Sequence, residues 1–286
     1  LFVLGEGAKS KKIYGICGYV MTNRQEKTDL QLILLRVIEN QNKLSSIDLI
    51  RYIENNINHR VLSSCGVRQN VTVLYELLGY RTGKLNHYYR LADKDEYKVA
   101  IINKKNIIPG KPGNYKLKHI TSFVELSNLI DLKKYKNMVP YKDEWCIRHR
   151  YYESQIHKYK VYVIDKGNHI YDSLIVMREI EIRGTKICKI VDFVGIDEDI
   201  AGLYSFIDDM MKQNGYEYIE FYNLGISKDI MKAAGFVLRS DSDNNIIPRL
   251  FEPFVQENKD IYYFANDFDS LHMYCGDADQ DRANKL

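Results

Sequence analysis

The last dozen residues contain the stretch DADQD, in which Asp277, Asp279 and Asp281 alternate. Carboxylates at positions 1, 3 and 5 are how a calcium-binding loop begins, and such a loop then needs glycine at its sixth place and a bidentate glutamate at its twelfth. Arg282 holds the sixth place here, and the sequence stops before the twelfth. The acids therefore read as a polar C-terminal tail, whose chemistry depends on the body before it. The five cysteines (Cys17, Cys65, Cys146, Cys188 and Cys275) are scattered and never spaced as CxxC. That pattern points to reduced thiols of a cytoplasmic core rather than a zinc site or a disulfide frame. An isolated thiol such as Cys65 in an apolar setting is a poor nucleophile.

The 286 residues are 45% hydrophobic, enough for one large domain or two of ordinary size. Basic and acidic residues (41 and 38, net +3) are mixed along the whole length. The short lysine runs at 9–12, 104–105 and 133–136 read as solvated corners, and no nucleic acid partner is expected. No apolar run approaches the roughly 18 residues of a membrane span, and no signal peptide opens the chain, so the expectation is a soluble cytoplasmic protein. Leu1 stands inside an apparent strand, which suggests that further residues precede it.

Positioning elements follow from periodicity. Residues 13–22 and 30–38 are β-branched and apolar and read as strands. Ile47, Leu49, Ile50, Ile53 and Ile57 then share one helical face, with Ser45 or Ser46 placed as a cap. A strand at 60–64, a helix at 71–78 closed by Gly79, and a strand at 84–91 complete the first set. The second set has strands at 159–164, 173–182 and 187–194, a helix at 200–213, a strand at 218–222, a helix at 228–234 and a final strand. A strand at 115–120 and a helix from Thr121 stand before it. The junctions LLGY (77–80) and AAGF (233–236) fall at equivalent places, which predicts a duplicated α/β unit. The stretch NKKNIIPGKPGN (103–114) is the best linker, and it divides a first unit, 1–107, from a second, 108–286.

A hairpin into a central strand, a loop into a helix, another strand and a helix ending LYELLGY resembles the GNAT acyltransferase superfamily. The resemblance implies a mixed-sheet α/β fold in two tandem GNAT-like units, the first incomplete at its N-terminus, with acetyl-CoA or another acyl-CoA as co-substrate. It places Tyr75 on the tyrosine that protonates the departing thiolate, a role suited to a phenol with an ordinary pKa near 10. It places Gln41, Ser45 and Ser46 on the pyrophosphate loop, with Leu44 in the place of that loop's first glycine. Backbone amides at a helix N-terminus supply the anion site there. The second unit has Met231 in place of the tyrosine, and three acids, Asp197, Glu198 and Asp199, where a pyrophosphate would lie. A general base for the amine is expected at Asp29 or Asp192.

More narrowly, RHRYYESQIHKYKVY (148–162), VDFVG (191–195), IIPRLFEPF (246–254) and DADQDRAN (277–284) are similar to tandem GNAT-like proteins that accompany bacterial surface-polysaccharide clusters. This likeness spans nearly the whole chain. It implies a small amino-sugar or nucleotide-sugar acceptor, and a tail folded back so that Asp279, Asp281 and Arg282 meet Arg150, Tyr151 and Glu252 around a polar pocket or as a structural lock. Two other functions compete: a binding or scaffolding module made of degenerate transferase folds, and a Fem-type transferase with an aminoacyl-tRNA donor, against which the acids at 197–199 count.

Overall fold

The computed structural model describes residues 1–7, 12–38, 45–266, 268–279 and 281, with the side chains of Ser45 and Asp279 also outside the described set. Gln41 and Leu44 lie outside the described residues. Along the first half run β1 (Phe2–Glu6), β2 (Ile13–Met21), β3 (Thr28–Val37), α1 (Ser45–Asn56), β4 (His59–Val67), α2 (Thr72–Leu77), β5 (Arg81–Lys84) and β6 (Asn86–Leu91). After a stretch without helix or strand come β7 (Lys116–Ile120), α3 (Phe123–Leu129), α4 (Glu144–Ile147), β8 (Lys160–Asp165), β9 (Tyr171–Ile182) and β10 (Thr185–Val194). The chain then forms α5 (Glu198–Ala201), α6 (Tyr204–Asn214), β11 (Tyr216–Leu224), α7 (Lys228–Ala233) and β12 (Val237–Leu238). It ends with β13 (Leu250–Phe251), β14 (Phe254–Val255), β15 (Tyr262–Ala265) and β16 (Met273–Tyr274).

Two sheets organise these elements. The first has the order β1-β2-β3-β4-β15-β5 and the second β12-β6-β11-β10-β9-β8-β7. In each, one pair is parallel, β3 with β4 and β10 with β11, because a helix carries the chain back between its members. The sheets trade strands: residues 84–91, expected as one strand, break at Leu85 into β5 of the first sheet and β6 of the second, while β15 crosses back between β4 and β5. Sheet membership therefore does not follow the division at 107/108.

Apolar side chains fill three layers. Leu49, Ile50 and Ile53 of α1 pack with Leu30, Leu62 and Phe264 on one face of the first sheet. Ile207, Met211 and Met231 of α6 and α7 pack on the outer face of the second. Between the sheets, Val61 and Cys65 of β4 meet Val176, Val191 and Tyr222. The expected helix-closing glycines are found after α2 and α7, where Gly79 (φ 91°) and Gly235 (φ 81°) take the left-handed conformation that glycine adopts without cost. They bring Tyr80 and Phe236 back to bond the carbonyls of Tyr75 and Met231.

Candidate functional site

Both sheets open at the same point. The partners of β2 along β3 jump from Leu34 to Leu32, leaving Ile33 as a bulge, and the partners of β9 along β10 jump from Ile190 to Asp192, leaving Val191. A bulge bends its strand and increases its twist, which ends pairing with the neighbour beyond. The parallel registers accordingly stop at Leu32↔Ser64 and Ile190↔Phe221, although all four strands continue for several residues.

In the first sheet the parted strands enclose a cleft of about 810 Å³. Aliphatic side chains of β3, among them Ile33 and Leu35, form one wall, Cys65 and Val67 of β4 form the other, and Leu74 and Tyr75 come from α2. Ser46, in the first turn of α1, also lines it, and the amides of a helix N-terminus favour an anion. Arg68, Arg249 and Lys259 also line it, and among the described lining residues there is no carboxylate and no imidazole. An anionic ligand with an apolar arm fits that donor set. The Tyr75 ring stacks on Phe264 at 3.9 Å, and burial, aided by Cys17, pushes its phenol up to about 12. The group therefore holds its proton across the working range of pH. Burial, followed by the charge of Asp277, pushes the Cys65 thiol well above its usual value, with Arg249 opposing, so it stays un-ionised.

Asp29 is not where a base would be useful. It is fully buried at the start of β3 and does not line the cleft. Arg60 grips both oxygens (Nε–Oδ1 2.8 Å, Nη2–Oδ2 2.5 Å), and the Tyr141 amide donates to Oδ2 at 2.7 Å. Arg60 also donates to the Met138 carbonyl, so this carboxylate ties β3 and β4 to the 138–141 segment. Asp192, the other expected base, accepts from Lys142 and from the Tyr151 hydroxyl, both at 2.5 Å, inside the second sheet's opening.

That second opening is filled by the chain's own C-terminal segment. β16 pairs with β11 beyond the splay (Asn223↔Tyr274, Leu224↔Met273), and the Gly276 amide donates at 2.8 Å to the carbonyl of the bulged Val191. Asp277 turns back to accept from Gln31 of the first sheet and from Lys142, both at 2.9 Å, and from the Tyr274 amide at 2.7 Å. Despite burial, Asp192 and Asp277 together hold the Lys142 ammonium charged. Of the acids after β10, Asp197 faces His272 (3.1 Å), and Asp199 accepts from Ser173 (2.6 Å) and pairs with Lys166 (2.9 Å).

The tail folds back between the sheets; the side chain of Asp279 and all of Arg282 lie outside the described residues. Arg150 donates to the Gly276 carbonyl, Tyr151 to Asp192, and Glu252 pairs with Arg178. Asp281 meets Lys189 at 2.9 Å, and its carbonyl accepts from Arg178. Asp277, Lys142, Lys189, Arg178 and Gln31 were not singled out in the sequence as site residues. The signal available was polarity out of place, such as Gln31 inside the apolar run of β3.

No protein-family model matches this chain, and no curated protein does. Among solved structures it is similar to a GCN5-related N-acetyltransferase from Anabaena variabilis, at 13% identity and TM-score 0.50, over 90% of this chain and 60% of that one. The fold is GNAT-like. The chain spans 60% of that protein's length. It is also similar to Saccharomyces cerevisiae N-myristoyltransferase with bound myristoyl-CoA, at 8% identity and TM-score 0.44, over 91% of this chain and 68% of that one. Among the described residues, no helix is long and apolar enough to cross a membrane.

Proposed function

We propose that the protein is an acyl-CoA-dependent N-acyltransferase of two GNAT-like units, 1–107 and 108–286, which share strands and hold one donor site. The acceptor is a small amino-sugar, free or nucleotide-linked, and the setting is cytoplasmic surface-polysaccharide synthesis. The observation that carries the donor site is the contrast between the openings: the first is an open, cation-lined cleft with Ser46 and Tyr75 on its walls, while the second is filled by residues 273–277. The co-substrate supplies an activated acyl thioester. Around it, the α1 terminus with Ser46, and with Gln41 and Ser45 before it, receives the pyrophosphate, and the aliphatic walls of β3 and β4 exclude water. The acceptor nitrogen forms the C–N bond as the C–S bond breaks, and Tyr75 gives its proton to the leaving sulfur. With no carboxylate or imidazole among the described lining residues to take its proton, the amine enters neutral and releases its proton to solvent. Arg150, Tyr151, Glu252 and Asp281 support the tail beside this site as a lock.

Calorimetry of acetyl-CoA against the full chain tests the donor site. One mole bound per mole of protein is expected, with binding kept in Tyr75→Phe; no heat and no thermal shift up to millimolar donor would end the coenzyme A reading. The locked Asp29 and the missing base favour a second reading, a binding module without turnover, which donor binding without thiol release on any amine would support.

A further inference from the structure

The two openings share one construction, and the second shows what such a gap can hold. There β10 and β11 part after Ile190↔Phe221, and the chain's own β16 enters antiparallel to β11, with Asn223 opposite Tyr274 and Leu224 opposite Met273. The Gly276 amide reaches the other side, donating to the carbonyl of the bulged Val191 at 2.8 Å. An extended segment between parted strands thus bonds to both edges, whose amides and carbonyls would otherwise face the gap.

The first opening repeats this frame position by position. Its last parallel pair is Leu32↔Ser64, its bulged Ile33 stands where Val191 does, and Gly66 and Val67 follow Ser64 as Asn223 and Leu224 follow Phe221. β2 runs along the far edge of β3 as far as Val37, and β15 along the far edge of β4 as far as Val67, so both strands stay extended past the parting. On the facing edges, residues 33–37 of β3 and 65–67 of β4 pair with no strand among the described residues. The cleft lies between these edges, and at about 3.4 Å per residue the free length of β3 matches an extended chain of about five residues.

The lining sets which chain would fit. Ile33, Leu35, Val67 and Leu74 offer aliphatic walls to the side chains of an inserted strand. Arg68 follows Val67 at the end of β4; it is exposed and makes no ion pair among the described residues. In the antiparallel sense that β16 takes, the N-terminal end of an inserted strand comes to Arg68.

We infer that the first cleft is a receptor for an extended peptide, inserted between β3 and β4 as β16 is inserted in the second opening, apolar in its middle and acidic at its N-terminal end. Main-chain bonds to the two edges supply affinity, and the aliphatic walls and Arg68 supply choice. The peptide takes the space given above to the donor, so peptide and acyl-CoA exclude one another and the peptide regulates transfer. The peptide site itself does not rest on the donor reading.

The test uses the full chain, the probe acetyl-Glu-Val-Tyr-Val-Gly-amide, and a twin of it methylated on every backbone nitrogen after the first residue. Calorimetry should show saturable sub-millimolar binding, one probe per protein, weakened about tenfold or more in the twin, which cannot donate to a strand edge. Arg68→Glu changes an exposed side chain, should melt as the parent does, and should weaken the probe about two- to fivefold. Amides in 33–37 and 65–68 should exchange with solvent more slowly when the probe is bound, and acetyl-CoA should displace it. No saturable binding at millimolar probe, equal binding of the twin, protection confined to other segments, or simultaneous binding of probe and acetyl-CoA overturns the receptor; equal affinity in Arg68→Glu overturns its acidic end. Failure of acetyl-CoA to bind ends the donor reading alone, because the probe titration and the exchange pattern stand without it.

Discussion

Tyr75 keeps its phenol protonated and able to donate, and replacing it tests one proton. Phenylalanine keeps the stack on Phe264, so Tyr75→Phe should melt within a few degrees of the parent, while turnover falls about 10²- to 10⁴-fold with donor affinity unchanged. With its folded-state pKa raised from 10.0 to about 12, the tyrosine's contribution to stability is full below pH 10 and is lost as pH rises through 12. His272 carries a second pH dependence. Its Nε2 lies 3.1 Å from Asp197 Oδ2 and its Nδ1 3.0 Å from the Ser270 carbonyl; both partners accept only, so keeping both bonds requires the imidazolium. Burial and Lys142 oppose that charge, yet Asp197 and Ser270 raise the pKa above 6.5. The resulting stability is complete below pH 6.5 and fades as pH rises through the folded-state value; melting midpoints measured from pH 5.5 to 9 should slope in the parent and flatten in His272→Gln. Of these residues, the sequence allowed Tyr75 to be picked out by its place in LYELLGY. It pointed also to Asp29, which the structure pairs with Arg60 away from the cleft, because a carboxylate at a strand end looks the same whether it faces a substrate or an arginine thirty-one residues away.

The bulges, the glycine caps and the returning tail are properties of elements. Gly79 and Gly235 have similar backbone angles and different surroundings: a Cβ at Gly79 would meet nothing within 4 Å, while one at Gly235 would lie 2.8 Å from the Tyr204 ring. Gly79→Ala should therefore cost only the left-handed strain, about 1–2 kcal/mol, and Gly235→Ala clearly more, as urea unfolding can measure. Asp277→Ala strips one of two carboxylates from buried Lys142 and breaks the bond to Gln31, a loss of about 3–5 kcal/mol. Most helices and central strands were legible because their apolar spacing is local. The break at Leu85 was not, since residues 84–91 read as one continuous strand and only tertiary pairing divides them. Neither bulge has a local signature, for Ile33 and Val191 are ordinary strand residues.

At the scale of the molecule, the strand exchange makes the halves interdependent. A fragment of residues 1–107 lacks β15, leaving β4 and β5 without the strand that joins them, and a fragment of 108–286 lacks β6 between β11 and β12. Each should be insoluble or unfolded alone by circular dichroism, the mixed fragments should recover part of the parent's spectrum, and the intact chain should unfold in one cooperative transition. The alternating carboxylates of the tail take their meaning at this scale too, because Asp277 contacts Gln31 of the first sheet and Lys142 of the second half. The position of β15 also sets an order of events during synthesis. The first sheet is mostly made by residue 84, yet the strand that completes it ends at Ala265, so about 180 residues must leave the ribosome before β4 and β5 are bridged. During that interval both edges stand open to any extended peptide, and the nascent protein is most exposed to mispairing just before its last strands emerge.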